Sequence, residues 1–340
     1  MSKPYDKAAI IGRFQIPHRG HVHLYNEAKK LADEVVILIG SVDKPPTPLN
    51  PFSFDTRKTM LANVLGEYDD ILPLRDQIYN PHNWTADVAN KVRSTHPRGW
   101  GDYPPKVVLV GYHKDDSSYY LDLFPQWDYH EITPIEILSA IDIRTALFEH
   151  KDPHQIEAIF PHTAEFLSDW MLSSQFKYLV DEHEHIVKEH KKWEDAPYPP
   201  IFQTADALVV QSGHVLLVKR RSAPGKGLWA IPGGYVNVKE TIRQAVLREL
   251  HEETKIKVQP IIVERSITRE KTFDDPKRSP RGRIITKVSL IQLSGHNLPR
   301  VKGSDDAIKA KWFPINEVMG MSHIMFEDHY DIFLNMTGGL

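Results

Sequence analysis

Three carboxylates and two imidazoles stand at spacings that could do phosphate chemistry. Glu249, Glu252 and Glu253 fall at i, i+3 and i+4 in VLRELHEETKI, so one helical face would carry all three. Carboxylates this close repel one another, and a hard divalent cation with oxygen ligands removes the repulsion. Towards the other end of the chain, His18 and His21 sit three residues apart in HRGH, directly after GRFQ. Two imidazoles in the first turn of a helix, beside its free N–H groups and their partial positive charge, suit a nucleotide phosphate. Gly20 leaves room for close backbone approach.

The elements that must position these groups differ between the two halves. In the first, apolar runs alternate with helical patterns: a strand at Ala8–Phe14, a helix from about Gly20 to Asp33, and a doubly buried strand at Val35–Gly40. Asp55–Leu65 reads as a helix capped by Asp55, Ile71–Leu74 as a strand and Trp84–Ser94 as a helix. Val107–Val110 reads as a third buried strand and Ala140–His150 as a helix. This rhythm predicts α/β architecture with a doubly wound, Rossmann-like parallel sheet, and ligands at the carboxyl ends of its strands. A charged helical stretch spans about Pro161 to Glu194, and three prolines in residues 196–200 make a stiff connector. The second half reads as α+β. It has a hairpin turning at Ser212-Gly213, a Pro232-Gly233-Gly234 turn and one charged helix from about Glu240 to Thr254. Strand-like runs follow at Ile261–Arg269, Ile284–Leu293 and Lys311–Phe313. The expected division is 1–160, a helical segment and linker at 161–200, and 201–340.

Composition narrows the function. The chain has 340 residues, 41% hydrophobic and 26% charged, which suits a soluble protein of two domains. A net charge of −3 gives no basic excess, so nucleic acid is not an expected partner. Without cysteine there is no disulfide, thiolate zinc site or cysteine nucleophile. No apolar run is long enough to span a bilayer and MSKPYDKAAIIGRF does not read as a signal peptide, so a cytoplasmic location is expected, with no membrane partner. A homo-oligomer is compatible with all of this.

The GRFQ–HRGH segment resembles the HxGH nucleotidyltransferase superfamily, and within it the nicotinamide-mononucleotide adenylyltransferases. Asn50-Pro51-Phe52 and Arg57, Asn83-Trp84, Gly111-Tyr112-His113-Lys114-Asp115 and Ser139-Ala140-Ile141-Asp142-Ile143-Arg144 extend the resemblance. It implies attack of the NMN 5′-phosphate on the α-phosphate of ATP, giving NAD and pyrophosphate. It further implies that His18, His21 and Arg144 supply positive charge, with Gly12, Arg13, Phe14, Gln15, Arg57, Trp84, Gly111, Lys114, Asp115 and Ser139 binding substrate. Trp84 would stack on nicotinamide. Two departures stand out: Ile16 precedes Pro17 where the family has Pro directly after GRFQ, and Ile141 replaces a Thr.

The second half resembles the Nudix hydrolases. From Gly234 through Glu240, Arg248-Glu249-Leu250 and Glu252-Glu253 to Ile256 it follows GX5EX7REUXEEXGU, with U aliphatic, except that Lys255 replaces the last Gly. That Gly usually ends the helix, so Lys255 must adopt positive φ or the helix must end differently. The resemblance implies Glu249, Glu252 and Glu253 as ligands of Mg²⁺ or Mn²⁺, with Glu252 and Glu253 catalytic and Glu240 and Arg248 orienting them, although Glu240 could also reach the metal. Segments at 273–283 and 303–313 resemble the ADP-ribose branch, which implies cleavage to AMP and ribose 5-phosphate. Arg281 or Arg283 would hold the diphosphate on a mobile basic loop. The two halves in this order resemble the bifunctional enzymes that join an adenylyltransferase to a Nudix hydrolase, acting on ATP, NMN, NAD and ADP-ribose. Other readings give the Nudix half NADH or another diphosphate, or make it an ADP-ribose sensor. Against the sensor, the residues after Phe313 are too few for a DNA-reading winged helix, and the Glu triad is intact.

Overall fold

The run VVILI lies inside a five-stranded sheet whose strands are all parallel. The computed structural model describes residues 3–66, 68, 70–95, 104–112, 121–133, 135 and 139–338. They fall into two compact units, Met1–Val180 and Asp181–Leu340.

In the first unit the chain runs β1 (Tyr5–Gly12), α1 (Arg19–Leu31), β2 (Ala32–Ile39), α2 (Phe54–Leu65), β3 (Asp70–Pro73), α3 (Pro81–Ser94), β4 (Val107–Gly111), β5 (Asp128–Glu131), α4 (Ala140–Phe148) and α5 (Pro161–Met171). The strand order is β3-β2-β1-β4-β5. Order reverses at β1, which lies between β2 and β4, so the loops leaving β1 and β4 diverge and open a crevice at their carboxyl ends. Ile10, Ile37, Ile39, Val108 and Val110 pack one face of the sheet, and Ala9, Val36, Leu38 and Leu109 the other. Burial on both faces is why these runs are continuously apolar rather than alternating. β5, with the sequence DYHE, is a mostly exposed edge strand with no apolar pattern, and its sequence gave no strand signal.

Two helix starts differ from expectation. α2 is capped by Ser53, whose hydroxyl accepts the Thr56 N–H, and Asp55 lies inside the first turn instead. α3 begins at Pro81 behind an Asn80 cap, three residues before Trp84, because proline at the first position needs no N–H partner. The charged stretch after residue 161 forms two helices, α5 and then α6 (Ser174–Lys191), separated at Leu172-Ser173.

The second unit contains β6 (Ile201–Gln211), β7 (His214–Arg220), β8 (Trp229–Ala230), β9 (Gly233–Tyr235), α7 (Ile242–Thr254), α8 (Pro260–Arg265), β10 (Ile267–Phe273), β11 (Arg283–Gln292), β12 (Ala307–Pro314), α9 (Ile315–Val318) and α10 (His329–Thr337). Its sheet is mixed, ordered β10-β11-β6-β7-β12, with β8 on β7, β9 on β6, and only β11–β6 parallel. The β6–β7 turn has positive φ at Ser212 (47°) and Gly213 (72°), the turn type whose twist matches a tight hairpin. α7 buries Ala245, Val246 and Leu250 in the core that also holds Ala205, Ala207 and Val209 of β6.

Ile261–Arg269 is not one strand. Pro260 opens the one-and-a-half-turn helix α8, which buries Val263 and leaves Ile261 and Ile262 about half exposed, before β10 starts at Ile267. A short apolar run does not separate helix from strand; here the proline at the first helical position decides. No helix among the described residues is long and apolar enough to cross a membrane.

Candidate active sites

At the first site, His18 is the cap of α1 rather than a residue within it. Its Nδ1 accepts the Gly20 N–H at 3.1 Å, while the Nδ1 of His21 accepts the His18 N–H at 3.2 Å. Both Nδ1 atoms therefore serve as acceptors, which places the ring protons on Nε2. The two rings lie 3.9 Å apart, and Phe14 packs 4.8 Å from His21. The reciprocal cap fixes both imidazoles at the positive end of the helix, the arrangement an anionic phosphate needs.

The loop between β1 and α1 is held in a strained shape. Phe14 and Ile16 have φ of 48° and 77°, and Ile16 is a fully buried β-branched residue in a region such residues avoid. Ile16 packs with Phe52, Met60, Ile143 and Leu147, which holds the strained residue in place. The buried Gln15 amide bonds the backbone of Phe52 in both directions, at 3.1 and 3.2 Å. Arg57, expected among the substrate contacts, lies beneath this loop at 1% exposure. It donates to the carbonyls of Arg13 and Gly40, both at 2.6 Å, and to those of Ser41 and Ser53. Burial pushes its pKa down to about 10, against the pull of Asp76.

Arg144 reaches back from α4 to the Gln15 carbonyl at 2.9 Å and is 5% exposed. Burial, with the charge of Arg13 added, pushes it down to about 9. Each guanidinium keeps its proton at neutral pH, so two largely buried cations face one loop beside the exposed Arg13. Ser139 caps α4 in a reciprocal box with Asp142. Trp84 sits in the first turn of α3, half-buried and 6.0 Å from Phe124, which stacks on Trp127. Gly12 and Gly111 end β1 and β4 at the crevice. Lys114 and Asp115, with His113, lie outside the described residues.

One group here had no sequence signal. Asp76 accepts the backbone N–H and hydroxyl of Ser41 at 3.1 and 2.7 Å and pairs with Lys44 at 3.1 Å. Burial alone would raise this carboxyl, but Lys44 and Ser41 together hold it below the ordinary range. It lies in a loop without a motif, so only the fold joins it to Ser41.

The second site is organised by Arg248. Its Nε and Nη2 grip both oxygens of Glu240 at 2.9 and 2.6 Å, and Nη2 also donates to the Tyr235 carbonyl at 3.0 Å. Its Nη1 donates to Glu249 at 2.7 Å and Glu252 at 2.9 Å. Glu240 precedes the helix, since Thr241 caps α7 and the Glu240 carboxylate bonds the Asn237 N–H at 2.8 Å. Glu253 accepts the Gly233 N–H at 3.0 Å, and burial pushes it up to about 8. Glu249 is likewise raised, chiefly by burial. The 232–234 turn carries backbone into these carboxylates: a Cβ on Gly233 would stand 2.6 Å from the Ala205 carbonyl oxygen and 2.8 Å from the Asp206 Cα, backbone that cannot move aside, so glycine is required there.

Among the described residues no three such side chains already stand as a metal cluster. Glu249 and Glu252 lean on Arg248, and Glu253 turns to Gly233. The donor set nevertheless fits a divalent cation. All three are hard oxygen donors from one helix, and burial disfavours the charge on two of them, which a cation restores. Lys255 ends α7 with φ 45° and ψ 34°, resolving the departure from the Nudix pattern: lysine takes the left-handed position.

The loop expected to be mobile is anchored. Arg278 forms a buried two-bond pair with Asp328 at 2.8 and 2.9 Å, and Arg281 pairs with Glu327 at 3.2 Å. Arg283 donates to the Asp274 carbonyl at 2.5 Å. Arg278, Glu327 and Asp328 carried no expectation; their pairing joins distant segments and leaves no local pattern. Asp206 of β6 is another such group, buried beside Glu253, bonded by the Thr286 hydroxyl, and pushed up to about 6 by burial.

A parallel sheet with a histidine-capped helix at its switch point, followed by a mixed sheet bearing a Nudix helix, defines a nucleotidyltransferase joined to a Nudix hydrolase. The family model described as Cytidylyltransferase-like matches residues 9–114, and the one described as NUDIX domain matches 201–336. The crystal structure of a bifunctional NMN adenylyltransferase/ADP ribose pyrophosphatase from Francisella tularensis, complexed with AMP and Mn ion, is 34% identical. It aligns with a TM-score of 0.90 over 98% of this chain and 99% of that one. A nicotinamide/nicotinic acid mononucleotide adenylyltransferase of Acinetobacter baylyi is 33% identical over 53% of this chain and 94% of its own length. An ADP-ribose pyrophosphatase of Methanocaldococcus jannaschii is 32% identical over 38% of this chain and 71% of its own length. The chain belongs to the family of bifunctional NMN adenylyltransferase/ADP-ribose pyrophosphatases.

Proposed function

We propose that the first unit makes NAD from NMN and ATP and that the second hydrolyses ADP-ribose to AMP and ribose 5-phosphate. In the first reaction the nucleophile is already an anion, so no side-chain base is needed, and catalysis is positioning plus neutralisation of developing charge. His18 and His21 present Nε2–H donors at the end of α1, and Arg144 adds a fixed cation. Arg57 and Gln15 hold the loop that carries Arg13. Gly12, Phe14, Gly111 and Ser139 line the crevice, Trp84 offers a ring to nicotinamide, and Lys114 and Asp115 contact the nucleotide.

In the second reaction Glu249, Glu252 and Glu253 hold Mg²⁺ or Mn²⁺, which supplies Lewis acidity and an activated water when bound. Arg248, set by Glu240, orients Glu249 and Glu252, and the Gly233 N–H orients Glu253. Arg281 and Arg283 neutralise the diphosphate. The domains follow the division at 160 and 200, with the protein in the cytoplasm. The observation that carries the reading is the pairing of a histidine-capped helix end with a complete Glu triad on one chain. The test is a double dissociation. Glu252→Gln abolishes metal-dependent ADP-ribose hydrolysis and leaves NAD synthesis intact, and His18→Ala does the reverse. Loss of both reactions in either variant would contradict independent sites.

A further inference from the structure

We infer that a cavity between α2 and α5, behind the loop that carries Phe14 and Ile16, is an effector site for a small uncharged nitrogen heterocycle bearing an amide or amino group. The site stands on its own geometry. Its effect on synthesis rests on the reading of the first unit as an adenylyltransferase.

The cavity has a volume of about 320 Å³. Small-molecule sites span roughly 300–1,000 Å³, so this one takes a single ring system rather than a dinucleotide. Met60 and Phe166 give it an apolar wall, and Thr59, Asn63, Thr163 and Asp55 supply polar groups around that wall. Phe166 is 38% exposed, a ring that a flat ligand can cover, and the Met60 thioether packs well against an aromatic edge. Thr163 is 2% exposed, yet its hydroxyl bonds no group among the described residues. A hydroxyl held this deep without a protein partner is one that a ligand's amide or amino group would satisfy. The Thr59 and Asn63 side chains are likewise free of hydrogen bonds among the described residues. No lysine or arginine lines the cavity, and Asp55 does, which disfavours a phosphate. Asp55 is exposed, so water screens its pull on a cation and an uncharged ligand is favoured.

One layer of side chains separates this cavity from the strained loop. Met60 packs in the cluster that contains Ile16 and Phe52. The Phe166 ring lies 5.8 Å from that of Phe52, edge-on at 61°. The Phe52 backbone is in turn bonded in both directions by the Gln15 amide. Ile16 keeps its φ of 77° because this packing over-determines it. A ligand against Met60 and Phe166 adds contacts to the same layer and favours the strained loop over its relaxed alternatives. The occupied cavity therefore tightens ATP at the loop, and by reciprocity bound ATP tightens the effector by the same factor.

The experiment titrates nicotinamide into the full chain by calorimetry, as wild type, Thr163→Val, Asn63→Leu and Trp84→Ala. Wild type and Trp84→Ala bind the probe alike. Thr163→Val and Asn63→Leu each weaken it roughly tenfold, the loss of about one hydrogen bond, and leave NAD synthesis without the probe unchanged. Saturating ATP tightens the probe about fivefold in the wild type. Absence of binding overturns the site, as does binding that Trp84→Ala loses and Thr163→Val keeps, which would place the probe on the tryptophan. Probe affinity that ATP does not move overturns the effector role. Wild-type protein that makes no NAD from NMN and ATP, yet loses the probe in Thr163→Val, overturns the adenylyltransferase reading and leaves the site standing.

Discussion

Glu240 holds Arg248 through both carboxylate oxygens, at 2.6 and 2.9 Å, from a position outside the helix that carries the arginine. The Arg248 bonds hold Glu240 down to about 2, so it stays charged at any working pH. The remaining nitrogen of Arg248 is shared by Glu249 and Glu252. Glu240 thus sets the guanidinium, and the guanidinium sets two metal-face carboxylates.

That chain of contacts predicts a graded loss. Glu240→Gln removes the charge behind the grip, and Arg248→Lys removes the planar fork while keeping the charge. Supporting contacts of this kind are worth about 10–100-fold in metal affinity or activity. Glu240→Gln should raise the Mg²⁺ concentration for half-maximal ADP-ribose hydrolysis about tenfold, and Arg248→Lys should raise it further. A Mg²⁺ titration of the rate measures both, and an unmoved midpoint in both variants would show that Glu240 and Arg248 do not shape the carboxylates.

Arg57 predicts coupled damage in the first unit. Four backbone carbonyls take its N–H groups at 1% exposure. Lysine cannot reach them all, and each buried acceptor left unpaired costs about 1–3 kcal/mol. Arg57→Lys should destabilise this unit by about 3 kcal/mol in urea unfolding. NAD synthesis should fall with it, because the Arg13 and Gly40 carbonyls define the loop beside His18. A variant with full stability and full synthesis would contradict the positioning role.

Lys255 predicts a gain. A non-glycine residue at φ 45° costs about 1–2 kcal/mol relative to the right-handed region. Glycine relieves this but adds about 0.4–1 kcal/mol of unfolded-chain entropy. The difference favours Lys255→Gly by about 0.5 kcal/mol, read as a small rise in the unfolding midpoint of the second unit. A fall in that midpoint would mean the lysine makes a compensating contact.

These cases show why the sequence was legible in some places and silent in others. VVILI and VVLV announce a doubly buried sheet because burial on both faces demands unbroken apolar runs. The Glu triad and HRGH announce themselves because one helix fixes every spacing. Arg57 was visible as a matching residue, but whether its donors face substrate or backbone depends on how three loops cross. Asp76 with Ser41, and Arg278 with Asp328, are pairings between residues far apart in the chain, which no local spacing records. α8 was misread because the three apolar residues Ile261, Ile262 and Val263 fit strand and helix alike, and only Pro260 separates them.

His329 carries the prediction for pH. It is buried in α10, its Nδ1 accepts the Ile231 N–H at 3.0 Å, and Phe326 packs edge-on at 5.5 Å. Burial first, then the charges of Arg278, Arg220 and Arg281, hold its pKa well below 6.5. Asp328 precedes it, but that carboxylate is engaged by Arg278. The native state therefore keeps the ring neutral, while the unfolded chain takes up a proton near pH 6.5. Below that value the unfolded state binds more protons, so stability falls with acid, by at most about 1.4 kcal/mol per pH unit from this group. His329→Gln keeps an acceptor for Ile231 and removes the titration. The urea midpoint of the second unit should fall less steeply between pH 6.5 and 5 in the variant than in the wild type, and parallel slopes would show that another group governs acid sensitivity.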